Sequence, residues 1–305
     1  MTVRIALASL AVVLAAMAYP WETTPDWWIF GIAVTVVVVV FAWWRGQFVT
    51  NMIGRRLAVF RRNHSKPKPQ SPKQATVVLR VDDPSGFGVP LPLVAGYVER
   101  FGVRSEKVRV TNRDSNGVRT TWISLTLDAE SNLVALQARS PELPLRETAE
   151  IAGRRLADHL REAGLDAAPV DDAVTPLIGK GREKWRGVRD EGGFVSAYGI
   201  PVDERLGERL DEVWSQSSET WTAVEFSGSA AHLTVAAVCA FRTPDPVRGV
   251  PVSGLTPHRG VQGPLLTALD PKAVGRLDVP AKPVAVDLLA RIDWPAGYQA
   301  ELSRT

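Results

Sequence analysis

Cysteine and histidine are scarce: one cysteine and four histidines stand among 305 residues. One thiol cannot close a disulfide within the chain, which agrees with a reducing compartment, and it cannot build a Cys-rich zinc site. Cys239 lies in the apolar run Ala236–Phe241, the setting of a buried structural thiol and not a reactive one. His64, His159, His232 and His258 fall into no pair at metal-ligand spacing. His159 reads as a surface residue beside Arg155 and Glu162. There is no Gly-x-Ser-x-Gly. Gly179-Lys180-Gly181 lacks both the following Ser or Thr and the preceding glycine of a phosphate loop. No cofactor is implied.

Acidic residues are missing from one long stretch. Residues 45–75 carry eight Lys or Arg and no Asp or Glu. The formal charge of +3 therefore misleads, because residues 76–305 hold 27 basic and 31 acidic groups. The positive charge belongs to the early segment, and the remainder offers no basic field for nucleic acid.

What the chain does have is two apolar runs before that basic stretch. Val3–Tyr19 contains Arg4 as its only charge, and Trp27–Trp44 is apolar throughout. Their lengths are at the short end of the 17–25 residues that cross about 30 Å of hydrocarbon. Helices over 3–19 and 27–44 forming a transmembrane hairpin (residues 1–44) are expected, since lipid leaves the backbone no other partner. Trp27, Trp28, Trp43 and Trp44 bracket the second run as interfacial belts do. Arg45, Arg55 and Arg56 would meet headgroups. The connecting turn holds Glu22 and Asp26 and no basic residue, so the positive-inside rule puts both termini and the main domain in the cytoplasm. A rival reading cleaves residues 1–18 as a signal peptide at Ala16-Met17-Ala18, with the same final orientation.

Residues 45–75 form a linker. Phe48–Phe60 can lie on headgroups as an amphipathic stretch. Lys66-Pro67-Lys68-Pro69-Gln70-Ser71-Pro72-Lys73 cannot be helical. From residue 76 to 305 the patterns predict a mixed α/β domain. Strands are expected at Thr76–Val81, Lys107–Thr111, Val118–Leu127, Phe194–Tyr198, Thr220–Phe226 and His232–Phe241, the last covered on both faces. Asn116-Gly117 predicts a hairpin. Helices are expected at Leu93–Phe101, Ala129–Arg139, Leu145–Ala163 with Gly164 as its cap, Gln262–Leu269, and from an Asp203 cap to Ser215. The order of strand pair then helix occurs twice, at 107–127 with 145–163 and at 220–241 with 262–269.

Two features could carry chemistry. Asp82-Asp83 ends the first strand, where α/β enzymes place metal-binding acids; the plainer reading is an Asx turn before Pro84 and Gly86. The acids would serve a membrane-anchored transferase acting on a lipid or sugar nucleotide. Lys180, Arg182, Lys184, Arg186 and Arg189 surround Trp185, a combination that suits a contact with an acidic partner and equally a solvated loop.

The hairpin, the exit Trp43-Trp44-Arg45-Gly46, the following Arg55-Arg56, the run Trp185–Tyr198 and the Glu219–Phe226 region with Trp221 resemble the EccE family over essentially the whole length. EccE is a membrane component of the mycobacterial type VII (ESX) secretion system, and the likeness is to the paralogue of the system linked to siderophore-mediated iron acquisition. The resemblance implies a non-enzymatic subunit of a large inner-membrane complex with EccB, EccC (the ATPase) and EccD. It also implies a degenerate glycosyltransferase-like α/β fold. That type of enzyme uses Asp-x-Asp, whereas here the aspartates are adjacent, as suits a fold without its chemistry.

Overall fold

The computed structural model describes residues 2–17, 19–20, 24–41, 43–44, 47–64, 73–170, 177–179 and 181–297. The chain divides into two compact units, Met1–Ser65 and Lys66–Thr305.

In the first unit, α1 (Thr2–Met17) packs against α2 (Thr24–Phe41), and α3 spans Val49–His64. The second apolar run does not stay helical to residue 44. Trp43–Trp44 pairs with Gln47–Phe48 in an antiparallel ladder, which takes its backbone groups out of the helix. At 1.5 Å per residue, α1 and α2 span about 24 and 27 Å. Among the described residues no helix is long and apolar enough to cross a membrane. Among the side chains described in these helices, the buried ones are small, Ala8 and Ala11 on α1 and Ala33 on α2, while Leu10, Val13, Leu14, Ile29 and Ile32 are exposed.

The second unit is built on a twelve-stranded sheet. Its main strands are β1 (Gln74–Asp82), β2 (Val103–Ser115), β3 (Val118–Asp128), β4 (Asp166–Pro169), β5 (Arg182–Glu183), β6 (Val188–Asp190), β7 (Gly193–Ile200), β8 (Glu219–Gly228) and β9 (Leu233–Thr243). They lie side by side in the order β4-β1-β3-β2-β8-β9-β7-β6-β5. Every ladder between them is antiparallel. A mixed α/β fold is thus present, but not the parallel, crossover-connected sheet on which α/β enzymes are wound. Asn116 and Gly117, both with positive φ (53° and 76°), make the expected two-residue turn between β2 and β3.

The order of elements repeats. β1, α4 (Leu91–Ala95, continued by a 3-10 turn), β2, β3 and α5 (Leu145–Glu162) are followed by β7, α6 (Leu206–Trp214), β8, β9 and α7 (Gln262–Ala268). In each half the first strand lies beside the third, and the halves meet where β2 pairs with β8. The repeat breaks at the last helix. α4, α5 and α6 cover one face with Leu79, Val110, Ile123, Leu156, Leu210 and Trp294. α7 covers the other, with Trp122, Trp221, Val238, Leu265 and Leu266. β9 is consequently buried on both sides from Val235 to Phe241.

The helix expected over Ala129–Arg139 is confined to Leu133–Gln137. Asp203 does not cap α6. Its carboxylate instead accepts from the Arg205 N–H and from Arg209, 2.6 Å away, and stays below the usual carboxylate range through the Arg209 bond. Cys239 is fully buried, and burial pushes its thiol up. His159 is no simple surface residue: its Nδ1 lies 2.6 Å from the Tyr97 hydroxyl.

The second face conceals charge. Lys107 and Arg109 of β2 and Glu225 of β8 are buried. Lys107 Nζ donates to the carbonyls of Ala273 and Gly275 at 2.5 and 2.6 Å. Arg109 bonds Glu225 at 2.5 Å and also the carbonyls of Ala268 and Gly275. These bonds fasten the segment after α7 across the sheet.

Candidate functional site

The basic loop sits at the β7 edge. The outer side of β7 is shared end to end: β6 pairs with Gly193–Val195, and Thr256–Pro257 pairs with Tyr198–Gly199. At the seam, the Gly260 N–H donates to the Trp185 carbonyl at 2.9 Å, and the Lys184 N–H donates to the Gly187 carbonyl at 2.7 Å. The turn 184–187 lies flat against β7. A Cβ on Gly187 would stand 2.4 Å from the Val195 carbonyl oxygen, so only glycine fits there.

The predicted contact residues do not form one patch. Lys180 lies outside the described residues. Arg182 and Arg189 are directly opposite each other in the β5–β6 ladder, both exposed, and like charges so placed repel. Arg189 finds Asp245 at 3.4 Å. Lys184 is exposed and Trp185 half-buried. Arg186 turns away from this group to line a cleft with Tyr198, Val247, Arg248, Gly249, Pro257, Arg259 and Gln262.

Arg248, Arg259 and Tyr198 escaped sequence reasoning, although a signal was present. Arg186-Gly187-Val188, Arg248-Gly249-Val250 and Arg259-Gly260-Val261 are the three Arg-Gly-Val tripeptides of the sequence, and the fold gathers their arginines. Tyr198 is buried, which raises its phenol above the ordinary range against the opposing pull of Arg186 and Arg259. The Gln262 side chain is already spent on Ala197 and the His258 carbonyl. At the Gly193 end of β7, Asp190 receives Arg242 at 2.6 Å; burial opposes its ionisation, but this bond and the N–H groups of Gly179 and Gly192 hold it below the usual range.

The paired acids of β1 serve the loop that follows. Asp83 is buried and accepts from the N–H groups of Ser85, Gly86 and Gly88 at 3.1, 2.8 and 2.6 Å. This Asx-turn arrangement occupies both of its oxygens. Asp82 lies 3.4 Å from Arg80. Among the described residues no group of His, Cys, Asp and Glu is placed to hold a metal.

Of the proposed headgroup residues, Arg45 lies outside the described residues, as do the side chains of Trp43 and Trp44. Trp27 and Trp28 are exposed on α2. Arg55 and Arg56 are on α3, where Ile53, Leu57 and Phe60 are exposed in one stripe.

Comparison with known proteins places these residues in a context. Residues 116–200, which contain the basic loop and Tyr198, match the family model described as type VII ESX secretion system translocon, EccE. The ESX-3 secretion system protein EccE3 of Mycolicibacterium smegmatis is 50% identical over 303 residues, 98% of this chain and 97% of that one. The protein of the same name from Mycobacterium tuberculosis H37Rv is 42% identical over 303 residues, covering 96% and 91%. The chain belongs to the EccE family.

Proposed function

We propose that this chain is a non-enzymatic, structural subunit of a type VII secretion translocon of the ESX-3 kind, held at the inner membrane. The observation that carries the reading is identity of 50% along almost the full length to a named component of that system. The matched length takes in the apolar helices as well as the sheet. In this reading residues 1–44 are a transmembrane hairpin, 45–75 a basic linker, and 76–305 a cytoplasmic domain, with EccB, EccC and EccD as neighbours.

The burial pattern of α1 and α2 supports the membrane part. Alanines face inward and leucine, valine and isoleucine outward, as in lipid, where small residues let helices approach and large apolar ones meet acyl chains. Helices of about 24 and 27 Å are accommodated by local thinning of the bilayer. The exposed stripe of α3, with Arg55 and Arg56 beside it, suits a helix lying at the headgroups. Trp27, Trp28, Trp43, Trp44 and Arg45 complete that contact. A structural role accords with an Asp83 whose oxygens are consumed by its own turn.

The test is affinity purification of the tagged chain in mild detergent, followed by native electrophoresis and mass spectrometry. Migration in a very large particle with an ATPase and other membrane subunits is expected. Migration as a monomer would overturn the proposal. Reversing Arg182, Lys184 and Arg186 to Glu is expected to weaken one cytoplasmic contact, and unchanged co-purification of all neighbours would retire that part.

A further inference from the structure

We propose that the patch around Phe101 is a membrane-docking surface, by which the sheet unit rests on an anionic phospholipid bilayer. This builds on the reading of the chain as held at a membrane. Phe101 is 51% exposed at the tip of a two-residue turn, where Glu99–Arg100 pairs with Val103 and Arg104. Its φ is 55° and that of Gly102 is 73°, the geometry of the Asn116-Gly117 turn at 53° and 76°. A bulky side chain is disfavoured at that first position, which asparagine suits. The turn therefore displays an aromatic ring against the preference of its own backbone.

Cations surround the ring. The Arg155 and Arg100 guanidiniums lie 4.7 and 5.2 Å from its centroid. Arg139 and the exposed Ile151 share the rim of a small dimple with all three. Among the described residues none of these arginines forms an ion pair, and no carboxylate lines the dimple. Their contacts are the rings of Phe101 and Tyr97 and the Thr148 hydroxyl. A guanidinium stacked on a ring keeps its N–H edge for phosphate oxygens. Asp158 and Glu162 lie further along α5, and Asp158 is held by Arg161. The apolar part continues on the short helix Leu133–Gln137, where Leu133 is exposed and Val134 is 81% exposed. Asn132 ties that helix to the turn through two bonds with the Arg104 backbone, at 2.8 and 2.7 Å.

The shape selects a bilayer over a protein. A protein hot spot seats an anchor side chain in a pocket, whereas the dimple, about 20 Å³, has room for about one water. What protrudes is an aromatic ring and branched apolar chains beside arginines without acids. Those suit the acyl boundary and the phosphates of one anionic interface.

The test places the full chain in lipid nanodiscs. V134C carries an environment-sensitive maleimide dye, and Cys239, fully buried, escapes labelling. In discs of phosphatidylcholine mixed equally with phosphatidylglycerol, blue-shifted emission and quenching by headgroup spin labels are expected, with a weaker response in phosphatidylcholine alone. R100Q/R139Q/R155Q is expected to lower the docking equilibrium about fivefold for each arginine removed, the equivalent of about 1 kcal/mol per basic side chain near anionic lipid. F101N is the second variant. Asparagine keeps the turn, as Asn116 does in the other hairpin, so lost docking with an unchanged unfolding midpoint is the expected signature of the exposed ring. A dye that stays in water in both disc types overturns the proposal in favour of a protein partner. Equal quenching in the parent and both variants overturns it too. In either case a chain that co-elutes with the discs leaves the membrane reading standing, whereas a chain that never enters them overturns both.

Discussion

The two units obey opposite burial rules. In the sheet unit Leu79, Ile123, Trp221 and Phe226 are inside. Among the described side chains of the helical unit, Ala8, Ala11 and Ala33 are inside, while Leu14 and Trp28 are 52% and 70% exposed. Water alone would drive both units to bury their large side chains. The contrast is what the proposed membrane setting of the helical unit would produce, and it makes each residue's energetic weight depend on which unit holds it.

That contrast can be broken most severely at Glu225. Glu225→Ala leaves Arg109 buried without its carboxylate and is expected to cost about 3–5 kcal/mol, read as a loss of the sheet unit's cooperative chemical unfolding. Trp221, stacked on Trp122 at 5.7 Å and buried, comes next. Trp221→Ala is expected to cost about 3 kcal/mol or more, and an unchanged unfolding midpoint would deny the packing role given to it.

Acidity sharpens the comparison, because only the sheet unit hides a lysine. Burial, with Arg109 nearby, lowers Lys107 to about 6 from its ordinary 10.5. Between those two values the unfolded chain holds a proton that the native chain lacks, so stability rises with pH across that window and levels off below about 6. The expected slope is up to about 1.4 kcal/mol per pH unit. It should vanish in Lys107→Met, compared by denaturation midpoints at two alkaline pH values. The smallest effect is expected in the helical unit. Leu14→Ala should change thermal stability in lipid by less than about 0.5 kcal/mol, whereas a cost of core size would remove the inverted-burial argument.

Much of the sheet was legible because its strands advertise themselves. Glu219–Gly228 and Leu233–Thr243 are rich in β-branched and apolar residues, and Asn116-Gly117 marks its turn. The full length of β2 was not. Lys107 and Arg109 alternate with Val108 and Val110, the pattern of a strand wet on one face, yet both are buried beneath a segment that arrives over 150 residues later. Local pattern carries no information about a cover supplied from so far away. The same limit applies at the cleft. Arg186 stood out within a dense basic run, but Arg248 and Arg259 were hidden among prolines and glycines, and only the pairing of Thr256–Pro257 with β7 brings Arg259 alongside. Asp82-Asp83 went the other way: the turn chemistry was plain, and Asp83 does what its neighbours Pro84 and Gly86 suggest.

The long-range fastening of β2 has a consequence for how the protein is made. Lys107 meets Ala273, and Asn112 meets Pro295, across 166 and 183 positions. The first half, although it repeats the order of elements found in the second, emerges from the ribosome before the partners of Lys107 and Arg109. The carbonyls that meet them belong to Ala268, Ala273 and Gly275, far along the chain. A chain cut short of Ala268 would lack every carbonyl that Lys107 and Arg109 meet in the closed sheet.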